Sequence, residues 1–398
     1  MSMAKLKGKT PAMRQFDAAK ERHPDAILFF RMGDFYELFH DDAKVAAKAL
    51  GITLTARGKG ENAVPMAGVP VRAVDGYLRR LVQMGHRVAI CEQMQDPKEA
   101  KGVVERAVVR VVTPGTLTED NLLDGRRSNH LAAVAFGKER CGVAWVEIST
   151  GAFYVIETAR DRLGDELARI EPAELLLAEE HRGAEHPWLP QTRTPIAYRA
   201  AYDFGAEGGT RLLQDHFAVK TLRGFGVEDA PLAVGAAGAL LAYLQETQQG
   251  ALPNLRGLEV WRDAAFMGLD RTTRQSLELV QTMRGGEGTP LLSILDRCDT
   301  PMGARRLRAW LLSPLAQLDA IQARQDAVTE LHADATLRAE VKQRLAQVLD
   351  LERLSSRAAF GRANGRDLIG LRLSLEQLPS LRERFAGCAS TLLRELGE

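Results

Sequence analysis

Hydrophobic and polar positions alternate in blocks along the N-terminal third. Ala26–Met32 is a continuous apolar run with Phe29 and Phe30 at its centre, which predicts a buried strand. Gly33 breaks it. Residues 41–50 (DDAKVAAKAL) predict a helix, with Asp41 and Asp42 suited to its positive end and Gly51 as the C-terminal stop. A β-branched strand is predicted at 52–55, a polar loop at 57–64, a helix at 74–84 closed by Gly85, and strands at 87–93 and 108–113. Short alternating elements of this kind predict an α/β domain over residues 1–117.

The polar stretch 114–129 predicts a linker. A second α/β domain follows over 125–252. It has a meander at 131–136, 142–149 and 152–157, a helix at 161–170, a strand at 174–178, and helices at 208–216 and 230–247. The last of these carries small residues on one face (AAGALLAY, 236–243), suited to close packing. From residue 270 helical periodicity dominates. Helices are predicted at 274–283, 291–295, 302–312, 318–331, 335–349, 351–360, 365–375 and 387–398, within a third domain over 260–398. The fold class is therefore α/β plus all-α.

Composition narrows the function classes. Of 398 residues, 45% are hydrophobic, and no window approaches the ~18 uninterrupted apolar residues of a membrane span. The N-terminus, MSMAKLKGKT, lacks the apolar stretch of a secretory signal. Cys91, Cys141, Cys298 and Cys388 are scattered without a CxxC pair, so they read as reduced thiols in a cytosolic protein, not as a zinc site. The net charge of +1 hides an asymmetry. Residues 1–120 carry 19 Lys and Arg against 15 Asp and Glu; residues 121–266 carry 15 against 20; residues 267–398 carry 19 against 17. Mildly basic ends permit nucleic-acid binding, and an acidic middle suits a protein partner.

The densest chemistry lies in RMGDFYELFHDDA (31–43). Asp34, Glu37, His40, Asp41 and Asp42 are hard-metal donors, but no EF-hand spacing is present. The same acids can simply cap a helix beyond a surface turn. A third reading concerns Phe35 and Glu37, which follow a glycine turn and can project from a domain edge. An exposed ring beside a carboxylate suits insertion between bases, as minor-groove wedges do. The carboxylate then accepts a hydrogen bond from a base N–H or carries a proton itself.

The cluster, with the two residues before it, resembles the mismatch-recognition motif of the MutS family of bacterial DNA mismatch-repair proteins. The family's Phe-x-Glu is Phe35-Tyr36-Glu37. The resemblance continues through VPMAGVP (64–70), VAICEQMQDP (88–97), VVRVVTPGT (108–116), EISTGAFYV (147–155), EPAELLL (171–177), LDRCDTPMGARRLRAWLLSPL (295–315) and LERLSSRAAFGRANGRDL (351–368). It covers essentially the whole chain in order. It implies a mixed-sheet mismatch-binding domain, a connector of ribonuclease-H-like topology, and the start of a helical core or lever region. Phe35 is then the stacking wedge, and Glu37 bonds the mispaired base and helps kink the duplex. Tyr36 belongs to the same motif. The loop 57–70 is expected near DNA, with Arg57, Lys59 and Met66 in contact. Implied partners are mismatched double-stranded DNA, a second copy of the chain, and a downstream MutL-like repair protein at the connector, with no membrane.

One departure is plain. No GxxxxGK[ST] loop occurs, and the glycine cluster RGGEGTPLL (284–292) lacks its lysine. The resemblance thus implies an N-terminal portion that stops inside the lever, has no cofactor and no catalytic residue of its own, and leaves ATP and Mg²⁺ to an ATPase domain elsewhere. A clamp domain is likewise expected outside it.

Rival readings remain. A ribonuclease-H-like domain can hold two Mg²⁺ for cleavage, with Glu147 on a strand followed by Asp165, Glu166, Glu171 and Glu174. The 161–174 acids read more simply as a solvated face. A scaffold that docks proteins without binding DNA is the other rival. Cys91 reads as a small buried residue, and Trp145 and Trp310 as core. The arginines of ARRLRAW (304–310) suit bonds to neighbouring acids better than DNA contact, and GRANGRDL (361–368) suits an inter-helix turn.

Overall fold

The computed structural model describes residues 10–58, 63–95, 102–189, 194–283 and 288–398. They form two units. One holds the chain as far as Leu122 together with Leu241–Leu252; the other holds Leu123–Leu240 and Pro253–Glu398.

The first unit opens with helix α1 (Pro11–Arg22), whose N-cap Thr10 accepts from the Met13 amide. This helix is absent from the elements predicted above, although Thr10 and Pro11 are helix-start residues; Phe16 is its one fully buried residue, with Met13 and Ala19 packed on the same cluster. Strands β1 (Ala26–Met32) and β2 (Phe35–Phe39) form a hairpin that turns at Gly33, whose φ of +62° favours glycine. Helix α2 (His40–Leu50) ends on Gly51 in the left-handed region. Strand β3 (Thr55–Arg57) lies three residues beyond the predicted start, because its register is set by pairing with β4 (Val64–Pro70). The predicted loop to Pro70 is therefore largely a hairpin. Helix α3 (Val74–Gln83), β5 (Arg87–Gln93) and β6 (Arg106–Val112) complete a sheet of order β3-β4-β2-β1-β5-β6.

Both faces of this sheet are covered, and unequally. Leu28, Phe30, Phe39, Ala89, Cys91 and Val111 pack with Phe16 of α1 on one face. Phe16 meets Phe30 and Phe39 edge-on, with centroids 5.6 and 5.0 Å apart. Burying a ring of this kind stabilises by about 1.5–3 kcal/mol. Cys91 is fully buried, and burial pushes its thiol up to about 12. The opposite face buries Tyr36, Leu38, Ala67 and Val69.

Residues 114–118 are buried, which corrects the linker reading there. Thr116 donates to and accepts from Thr113, and Arg110 donates to Thr118 while pairing with Glu119. Polar side chains that bond one another are buried at little cost, and composition alone does not reveal it.

In the second unit β7 (Leu131–Phe136), β8 (Arg140–Glu147) and β9 (Ala152–Ala159) form the antiparallel meander. After helix α4 (Leu163–Ile170), β10 (Glu174–Ala178) and β11 (Ile196–Arg199) add in parallel, and a short β12 (Glu259–Val260) adds beside β9. Helices α5 (Ala206–Phe217) and α6 (Pro231–Gln248) pack by their small residues. A Cβ at Gly142 would lie 2.1 Å from Leu232 carbonyl carbon, and one at Gly238 would lie 2.4 Å from Gly209 Cα. Only glycine permits such approach.

The rest is helical: α7 (Arg271–Ser276), α8 (Leu291–Leu295), α9 (Pro301–Leu312), α10 (Leu318–Ala333), α11 (Ala335–Leu345), α12 (Leu351–Ala359), α13 (Gly365–Leu375), α14 (Leu378–Ala386) and α15 (Thr391–Gly397). The helix predicted at 274–283 is instead the six-residue α7. GRANGRDL is a turn closed by an Asn364 capping box at the head of α13. Trp145 is core, but Trp310 is 39% exposed, with Arg324 stacked 3.7 Å over its ring. That aromatic is satisfied by a cation and not by burial.

Candidate nucleic-acid interface

The Phe35 region sits on β2, an interior strand of the sheet. Its exposure comes from alternation and incomplete cover. Alternation places Phe35, Glu37 and Phe39 on one face and Tyr36 and Leu38 on the other. α1 covers that first face only as far as Phe39. Phe35, at the turn end of β2, is left 47% exposed. Its neighbour across β4 helps: Gly68 pairs with Glu37, and a Cβ there would already touch the Phe35 ring at 3.8 Å. A bare backbone thus leaves the ring standing clear.

Phe35, Glu37, Met66 and Gly68 line an open groove of about 480 Å³ with Gly51, Ile52, Thr53 and Thr55. Burial pushes the Glu37 carboxyl above its ordinary range, and the cations of Arg57 and Arg106 pull it part of the way back. Arg57 Nη1 donates to Glu37 Oε2 at 3.3 Å. Met66 is partly buried against the Phe16 cluster, so its groove-facing atoms supply an apolar wall.

Two predicted site residues need correction or restriction. Tyr36 faces away: its ring is 4% exposed, its hydroxyl donates to Glu92, and Arg31 lies over the ring. It holds the hairpin and does not share the groove. Lys59 lies outside the described residues. Sequence reasoning missed Ile52, Thr53, Thr55, Gly68 and Arg106. Only Gly68 carries a local signal, as the bare position in the alternating VPMAGVP.

The other acids of the cluster disperse. Asp42 accepts from Lys20 and from the Leu28 amide, and Asp41 pairs with Lys44. Among the described residues no group of three or more His, Cys, Asp or Glu side chains is placed to hold a metal ion. In the second unit the acids are not a solvated face. Glu147 is buried on Arg353, Glu166 on Arg169, and Glu171 accepts from Arg308, while Asp165 accepts from the Arg271 amide. Arg305 likewise grips Asp350 and Glu352, so two arginines of ARRLRAW bond to neighbouring acids.

Comparison with known proteins gives the same assignment along the whole chain. Residues 10–121 match MutS domain I, residues 129–256 match MutS domain II, and residues 272–397 match MutS domain III. The chain belongs to the MutS family. It is 44% identical over 388 residues to the DNA mismatch repair protein MutS of Salinibacter ruber, an alignment that takes in 96% of this chain and 43% of that protein. The chain thus spans less than half the length of the curated relative it matches. Among the described residues no helix is long and apolar enough to cross a membrane.

Proposed function

We propose that this chain recognises mispaired or unpaired bases in duplex DNA, by inserting Phe35 and kinking the duplex. The observation that carries the reading is the exposed Phe35 ring beside the half-buried Glu37 carboxyl on one sheet face. A ring in water gains by stacking, and unstacking a weakly held step costs only a few kcal/mol. A perfect step resists more, so the ring selects defects. Glu37 repels phosphates, and it offsets that cost by bonding an exposed base edge or by carrying a proton. Discrimination through deformability needs no sequence readout, which suits a sensor for any mismatch.

On this reading residues 1–117 are the mismatch-binding domain, 125–252 the connector and 260–398 the start of the lever. The action is binding and bending, not bond cleavage. The acidic connector meets a MutL-like protein, two copies embrace one duplex, and ATP and Mg²⁺ act through an ATPase region that these residues do not include. The setting is cytoplasmic.

The test is fluorescence anisotropy at ~50 mM salt, where phosphate attraction is strong. The parent should bind a duplex with one unpaired thymine about tenfold tighter than its perfect match, a difference of about 1.4 kcal/mol. Phe35→Ala should bind both equally and weakly. Parent binding without preference, or preference kept in Phe35→Ala, sinks the reading.

A further inference from the structure

Arg57 reaches Glu37 across an intervening strand. Arg57 is on β3, Glu37 on β2, and β4 lies between them. Arg57 is opposite Val64 and Glu37 is opposite Gly68, so the guanidinium lies diagonally over the sheet, 5.8 Å from the Phe39 ring. Among the described residues Glu37 is the one hydrogen-bond acceptor of Arg57. The second cation that acts on Glu37, Arg106, is committed elsewhere, donating to Arg31 O at 2.7 Å and Val104 O at 2.9 Å. So of the two cations, one is fixed by two backbone carbonyls and one is held by a single hydrogen bond and the face of the Phe39 ring.

That contact is weak by construction. It is 3.3 Å long, and the side chains are 42% and 23% exposed. Exposed pairs of this kind exchange partners readily, and a phosphate is a strong competitor for a guanidinium. We propose that Arg57 couples Glu37 to the DNA backbone: it stays paired with Glu37 on a perfect duplex, and passes to a phosphate once Glu37 bonds an unpaired base. This rests on the mismatch-recognition reading above. Its consequence is a second source of discrimination. A perfect duplex offers Glu37 no partner, so Arg57 stays where it is and one phosphate contact is withheld. A defective duplex satisfies Glu37 and gains that contact. Arg57 is then a specificity-determining residue, although a phosphate carries no sequence information.

The salt dependence of binding reads the number of phosphate contacts. Each adds about 0.9 to the slope of log affinity against log salt. In the parent, the slope for the unpaired-thymine duplex should exceed that for its perfect match by about 0.9. Between 50 and 200 mM salt this changes the preference about 3.5-fold. Glu37→Gln should steepen the slope for the perfect duplex by the same amount, because Arg57 is freed without a defect. In Arg57→Gln, and in the double variant, both duplexes should share one slope. Arg57→Lys should restore part of the difference.

Equal slopes in a parent that still prefers the unpaired base overturn the coupling and leave the mismatch reading intact. A slope difference that persists in Arg57→Gln overturns it too. A parent with no preference, or no duplex binding, sinks the reading beneath it and the coupling with it. The pair itself is read without DNA, by a ¹³C titration of the Glu37 carboxyl. Arg57→Gln should raise its midpoint; an unmoved midpoint overturns the proposal.

Discussion

Arg353→Ala should destabilise the second unit severely. The Arg353 side chain is 2% exposed and Glu147 is 5% exposed, with Nη2 3.1 Å from Oε1. The same guanidinium donates to Asp124 O at 3.0 Å and Arg127 O at 2.8 Å. Removing it leaves the buried Glu147 carboxylate with the Asn129 amide and Ser149 hydroxyl but without its ion-pair partner, which costs about 3–5 kcal/mol. It also leaves two carbonyls short of a donor, about 1 kcal/mol more. The total of about 4–6 kcal/mol is a large share of a typical 5–15 kcal/mol stability. All four tryptophans, Trp145, Trp188, Trp261 and Trp310, lie in this unit, so tryptophan fluorescence during urea unfolding reports on it directly. Adding Glu147→Gln to Arg353→Ala removes the stranded charge and should recover part of the loss. The pH dependence provides a second check. Burial alone raises the Glu147 carboxyl, but His130, Arg353 and Arg305 overcome it and hold it below its ordinary range. A carboxylate lowered on folding stabilises above its unfolded value of about 4.3 and loses that contribution as pH falls through the folded one. The parent should therefore weaken below about pH 4.3 through this group, and Arg353→Ala, which keeps His130 and Arg305, should show a smaller component. A loss under about 1 kcal/mol at neutral pH would refute the reasoning, because the burial and bonding would then be worth no more than a surface pair.

Three further outcomes follow from the first unit. Tyr36→Phe removes a buried hydroxyl bonded to Glu92 and should cost about 1 kcal/mol in a thermal melt while leaving mismatch preference unchanged. Phe35→Ala should leave stability within about 0.5 kcal/mol, because the ring is half exposed, and circular dichroism melts check this. The raised Glu37 carboxyl takes its proton at a higher pH than an ordinary glutamate. Affinity for perfect duplex should therefore rise as pH falls toward 5, more steeply in the parent than in Glu37→Gln; parallel pH profiles would contradict the assignment.

Much of this fold is legible in local pattern. The run Ala26–Met32, the Gly51 stop and the 131–157 meander each carry a period or a terminator that tertiary contacts do not override. What is not legible depends on distant partners. β2 is hidden because five residues between a glycine turn and a helix show no full period, yet it is an interior strand. α1 is mostly polar, and its short apolar face of Met13, Phe16 and Ala19 gains meaning only against the sheet. The acids at 165–174 look solvated until the arginines of α4, α7 and α9 meet them. The candidate site divides in the same way. Phe35 and Glu37 share a face by simple alternation, and that face becomes a groove only because β4 brings Gly68 and Met66 beside them. Tyr36 is in the same motif and points the other way for the same reason.

Insertion of Phe35 is tested most directly by the bend it causes. A duplex with one unpaired thymine, labelled at both ends, is saturated with protein and its end-to-end energy transfer is measured. An apolar wedge kinks DNA by about 20–90°. The account predicts a rise in transfer with the parent on this duplex, little change on the perfect match, and no rise when saturating Phe35→Ala is bound. Equal bending by Phe35→Ala and the parent would contradict it.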